Sequence, residues 1–63
     1  MAAADVQVGD RVRLAGGDEL VVARLERDFL GIAGMVALIE DSGRRWFKQP
    51  LPGGTEVEVR RDA

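Results

Sequence analysis

Polar and apolar residues alternate along much of this chain, with a period of two. Val6 and Val8 stand among polar neighbours, and Gly9-Asp10 interrupts them with a turn signal. Arg11-Val12-Arg13-Leu14 then alternates strictly, Val12 and Leu14 on one side and the arginines on the other, the pattern of a half-buried strand. At Gly16-Gly17-Asp18 a positive φ costs little and the chain can reverse. Leu20 to Glu26 predicts a second strand, with Val21, Ala23 and Leu25 facing the core and Arg24 and Glu26 facing solvent.

Residues 27 to 34 break this pattern and admit three readings: an extension of the second strand, a long loop, or a single helical turn. Two glycines three apart weigh against a regular helix, at about 1 kcal/mol each relative to alanine. The preferred reading is a loop that tucks Phe29, Leu30 and Ile32 back onto the core. Met35 to Glu40 is apolar on both faces, as in a central strand covered on both sides. Asp41-Ser42-Gly43-Arg44 is the clearest hairpin turn, and Arg45-Trp46-Phe47-Lys48 returns from it as the fourth strand. Pro50 and Pro52 are expected to end that strand, since proline cannot donate to a ladder. Gly53-Gly54 turns the chain again, and Thr55 to Arg60 alternates with Thr55, Val57 and Val59 inward.

Five short strands, Gly or Pro at the turns and no amphipathic helix predict an all-β fold, a small five-stranded SH3-like barrel whose closure removes exposed strand edges. An OB-like barrel is the alternative, although it usually needs more residues and a helix between strands three and four. Residues 6–61 are expected to form one domain, preceded by a loose end at residues 1–5. No repeat or linker divides the chain.

Composition narrows how such a fold is stabilised. At 63 residues a chain buries only about 60% of its unfolded surface. The absence of cysteine excludes disulfides, and the absence of both cysteine and histidine excludes the usual zinc sites. The core must come from packing, for which 46% apolar residues is an adequate supply, or from packing plus a partner subunit. No cofactor is expected. The longest apolar run, Met35 to Ile39, is far short of the ~20 residues that span a bilayer, and the start of the chain lacks the basic and apolar regions of a signal peptide. A cytoplasmic protein with no membrane partner is the expectation.

The stretch Val8-Gly9-Asp10-Arg11-Val12-Arg13-Leu14, then Gly16-Gly17 and Leu20-Val21-Val22, resembles the start of small bacterial SH3-like proteins, in particular the YodC-like group of unknown function. That group also carries a tryptophan on a strand pair in its second half, comparable to Trp46. The resemblance covers about the first third of the chain. Residues 27 to 34 are longer and more apolar than the group's pattern, and Pro50 to Val59 has no evident counterpart. The resemblance implies a fold and no activity.

Catalysis finds little to work with. His, Cys and Tyr are all absent, which removes the common general bases and nucleophiles. Ser42 and Thr55 are the only hydroxyl side chains and read as turn formers, while Glu56 and Glu58 read as a solvated strand face. Gly31-Ile32-Ala33-Gly34 has the spacing of a KH-domain loop but lacks flanking helices, and no helix follows the other glycine pairs to hold a phosphate. An enzyme is not expected.

Two segments carry binding chemistry. Arg44-Arg45-Trp46-Phe47-Lys48 places three cations and two aromatics in five residues. On a strand, Arg44, Trp46 and Lys48 share one face and Arg45 and Phe47 the other, so if Phe47 is inward Trp46 stands outside. An outward Trp46 between cations suits a protein interface, where Trp and Arg are favoured, or base stacking and phosphate neutralisation. An inward Trp46 would instead plug the barrel. The second segment, Phe29 to Val36, has no charge and is a candidate for self-association as a homodimer. The candidate surface is therefore Arg44, Arg45, Trp46, Lys48, Phe29, Leu30 and Ile32. A net charge of −2 and a pI near 4.9 favour a protein partner or a second copy over nucleic acid.

Overall fold

The computed structural model describes residues 1–61. Six short antiparallel strands form two sheets. β1 (Arg11–Arg13), β2 (Glu19–Val21) and β6 (Glu58–Arg60) make one, in the order β2-β1-β6. β3 (Arg24–Arg27), β4 (Met35–Asp41) and β5 (Trp46–Pro52) make the other, in the order β3-β4-β5. The fold is all-β; single 3-10 turns at Ala3–Asp5 and Phe29–Gly31 are the helical backbone among the described residues. No ladder joins β5 to β6, so the sheets do not close into one.

Between the sheets lie Val12, Leu20 and Val22 from one side and Val36 and Leu38 from the other, joined by Ala3, Val6 and Val57. Each fully buried Val or Leu contributes on the order of 1.5–3 kcal/mol. Leu14, Leu25, Phe47, Leu51 and Val59 pack around this cluster, so the inward face expected of residues 55 to 60 is present. β4 is buried from Val36 to Glu40 and lies between β3 and β5, as an apolar strand covered on both sides requires. Val8, by contrast, is exposed in the turn before β1.

The run from Leu20 to Glu26 is a bent strand with an altered phase, which is why six segments replace the expected five. Val22 N donates to Asp10 O at 2.9 Å while Ala23 N donates to Ile39 O at 2.7 Å, so adjacent residues bond to different sheets. Leu20 and Val22 are buried and Val21 is exposed, the reverse of the expected phase. Where Leu20-Val21-Val22 is apolar throughout, alternation cannot choose a face; the pairing of Leu20 with Val12 does. After the bend Leu25 faces the core as expected.

Pro50 does not end the fourth expected strand but lies inside β5, opposite Ala37, while Pro52, opposite Met35, is the strand's last residue. β5 is an edge strand, and two prolines two residues apart place both missing donors on its open side, where no ladder bond is lost.

Leu30 and Ile32 do not tuck onto the core. Leu30 is 80% exposed and Ile32 half exposed, while Phe29 is partly buried. The turn is too tight to fold all three inward: Asp28 (φ 49) and Leu30 (φ 57) both adopt left-handed backbone, and the Gly34 N–H is held by Asp28 Oδ1 at 3.3 Å.

The first five residues, expected to be loose, are docked. Val57 N donates to Met1 O at 2.8 Å, Ala3 N to Thr55 O at 2.8 Å and Ala4 N to Gly53 O at 2.9 Å, and Ala3 is fully buried. Small side chains allow this close approach. A Cβ on Gly53 would lie 3.1 Å from that of Ala4 and 2.9 Å from Gly34 O.

Candidate binding surface

Ladder register decides which way the basic-aromatic arm faces. Phe47, Gln49 and Leu51 lie opposite Glu40, Leu38 and Val36 and share their inner face; Phe47 and Leu51 pack on the core. Trp46 and Lys48 therefore point outward, and Trp46 is 61% exposed. Phe47, not Trp46, is the aromatic that fills the interior.

Lys48 joins the two candidate segments. Its Nζ lies 4.8 Å from the centre of the Phe29 ring and 6.0 Å from that of Trp46, and 3.5 Å from Glu26 Oε1. A partly desolvated ammonium near two aromatic faces gains a cation–π term of order 0.5–1 kcal/mol, and Glu26 balances its charge. Beneath lie Ala37 and Ile39, on the outer face by register yet with no exposed surface. Their cross-strand neighbours are Arg24, Glu26, Lys48 and Pro50. The Lys48 stem covers apolar surface while its head stays at the rim.

The remaining candidates are placed differently. Arg45 sits on the Phe47 side of β5, its guanidinium 5.4 Å from that ring and Nε 3.8 Å from Glu40 Oε2. Arg44 is exposed in the hairpin turn, where Ser42 N donates to Arg45 O at 3.1 Å. Leu30 and Ile32 project from the turn that carries Phe29. The structure thus brings Phe29, Trp46 and Lys48 into one cluster with exposed Leu30 and Ile32 on the adjoining loop, and leaves Arg45 on the other face.

Two features have no local signal in the sequence. One is Glu26 as the partner of Lys48, which depends on both β3 and β5 pairing with β4. The other is a groove of about 710 Å³ where the sheets part, between the β1–β2 turn, the inner face of β5 and residues 55–58. Leu14 and Asp18 line it together with Phe47, Leu51, Glu56, Val57 and Glu58, which follow them by 29 to 44 positions in the chain.

Among the described residues no His, Cys, Asp or Glu cluster has the arrangement to hold a metal ion, and no helix is long and apolar enough to cross a membrane. Comparison with protein-family models, curated proteins and solved structures returns no match to this chain.

Proposed function

We propose that this chain is a cytoplasmic, non-enzymatic binding module that docks a protein, or a second copy of itself, on the surface of Phe29, Leu30, Ile32, Trp46 and Lys48. The observation that carries this reading is the exposure of Trp46, the single tryptophan, on a paired strand beside Lys48 and Phe29. Exposed Leu30 and Ile32 extend the apolar area next to it. Aromatic anchors on a rigid element, with apolar neighbours and a charged rim, are the ingredients of a binding hot spot.

An SH3-like barrel is the architecture we assign to it. If β2 and β3 are taken as two halves of one bent strand, five strands remain, and a short hairpin without a helix joins the third to the fourth, which supports this reading over an OB-like barrel. The similarity of residues 8–22 to the YodC-like group belongs to the same reading.

Nucleic acid is the weaker alternative because two of the three cations of the arm are already matched. Arg45 faces Glu40 and Lys48 faces Glu26, which reduces the positive field available to phosphates. The test is to compare immobilised wild-type chain with Trp46→Ala for protein recovered from the source organism's lysate and for retention of added free chain. Wild type should retain protein that the variant does not. Equal retention by both, or tight single-stranded nucleic-acid binding at low salt that Trp46→Ala abolishes, would sink the protein-docking reading.

A further inference from the structure

We propose that the groove between the sheets receives the Arg44-Arg45-Trp46 hairpin of a second copy of this chain. The inference rests on reading Trp46 as a docking residue, and names the surface that it meets.

The groove is apolar at its floor and acidic at its rim. Leu14, Phe47, Leu51 and Val57 offer aliphatic and aromatic surface, and Asp18 and Glu58 stand exposed at the edge. Arg13 also lines it, but is shared between Glu19 at 3.2 Å and Glu58 at 3.8 Å. Glu56 at the rim meets the Met1 amino group. Asp18, Glu56 and Glu58, the carboxylates that line the groove, thus stand against Arg13 and the Met1 amino group, an excess of one negative charge. An apolar cleft with that rim calls for an aromatic or aliphatic group that carries its own cations.

Strand addition is a poor way to fill it. Pro50 and Pro52 remove donors from the open edge of β5, so an occupant must be held through its side chains. A volume of about 710 Å³ is ample for an indole with a neighbouring guanidinium, within the ~300–1,000 Å³ range of side-chain-lined sites.

This chain carries such a group. The hairpin tip presents exposed Arg44 beside the 61%-exposed Trp46 on a turn tied by the Ser42–Arg45 hydrogen bonds. Trp46 points to the face of β5 opposite the one where Phe47 lines the groove, so a chain cannot place its own Trp46 there. The occupant comes from another copy. A contact between two different patches is head-to-tail, and it leaves a free arm and a free groove on every pair. With a total surface of 4201 Å² per chain, such a contact belongs to the small, transient class of interfaces.

The test is sedimentation velocity over a concentration series at low salt, with circular dichroism to verify folding of each variant. Wild type should grow in average mass with concentration, less so in about 1 M salt, where screening is nearly complete. Trp46→Ala lacks the arm and Asp18→Lys/Glu58→Lys lacks the acidic rim, so each alone should associate at least tenfold more weakly. An equimolar mixture of the two should regain a species of dimer mass, because one intact arm then meets one intact groove. Should Trp46→Ala unfold, Arg44→Glu replaces it. Association of wild type without recovery in the mixture, or association abolished by Leu30→Asp but unaffected by the rim substitutions, overturns the inference in favour of a contact through the 29–36 loop. A wild type that stays monomeric throughout also overturns it, and leaves the Trp46 docking surface to be judged by the lysate comparison.

Discussion

Glu40 Oε1 accepts a hydrogen bond from the Val21 N–H at 2.8 Å, although Glu40 lies on β4 and Val21 on β2, in different sheets. β2 is an edge strand, so this N–H points away from its partner β1 and needs an acceptor from elsewhere. Glu40 supplies it from a buried position and places its other oxygen 3.8 Å from Arg45 Nε. One carboxylate therefore fastens the two sheets on the side where the chain bends.

Replacing Glu40 by Ala should lower stability by about 1–3 kcal/mol, because the Val21 N–H loses its acceptor. Glu40→Gln keeps an oxygen at that place and should cost less than half as much. In a domain of this size each 1 kcal/mol moves the thermal midpoint by about 4–8 °C, so calorimetry separates the two variants. Equal losses would show that charge, rather than the hydrogen bond, is what matters.

Neighbouring glycines should respond oppositely to alanine. At Gly53 a Cβ meets backbone oxygen of Gly34 at 2.9 Å, so Gly53→Ala should destabilise by about 1–3 kcal/mol and loosen the docked first residues. At Gly54 nothing lies within 4 Å, and Gly54→Ala should be neutral or stabilise by up to about 1 kcal/mol. Urea denaturation of the pair measures both, and amide hydrogen exchange at Ala3 and Ala4 reports the loosening.

Trp46 and Phe47 should differ in the same assay. Trp46→Ala removes a mostly exposed ring and should cost less than about 1 kcal/mol, whereas Phe47→Ala empties space beside the core and should cost about 2–4 kcal/mol. Tryptophan fluorescence of the native chain should be quenched readily by iodide or acrylamide. A shielded indole, or a Trp46→Ala chain that unfolds, would contradict the outward placement.

Leu30 separates binding from stability. Its left-handed backbone costs roughly 1–2 kcal/mol for a leucine, and its side chain is 80% exposed. Asparagine tolerates that conformation, so Leu30→Asn should leave the thermal midpoint unchanged or raise it by a few degrees. If the loop belongs to the docking surface, the same substitution should weaken retention of protein on immobilised chain.

Much of this fold follows from alternation and turn chemistry. Arg11-Val12-Arg13-Leu14, the doubly apolar Met35 to Glu40, the Asp41–Arg44 hairpin and the inward Val57 and Val59 are each readable from local pattern, because each side chain's environment repeats the pleat of its own strand. Even the alternative that Trp46 faces out was readable as the consequence of an inward Phe47. The phase of Leu20-Val21-Val22 was not, since three apolar residues in a row carry no preference for a face. Nor was the place of Pro50 inside β5, because the sequence does not say that β5 is an edge with its open side where the missing donor falls.

The sequence by itself determined the class of structure: an all-β chain without cysteine or histidine, with its turns at glycine-rich points and its one tryptophan in a basic hairpin arm. Tertiary structure alone decided that Lys48 lies beside both Phe29 and Trp46, that Ala3 is buried against residues 53–57, and that an acidic, apolar groove opens where β5 and β6 fail to meet. These relationships join residues far apart in the chain through pairings with a third strand, or through the lack of a pairing. Alternation registers the two faces of a strand, and it carries no information about which strands become neighbours.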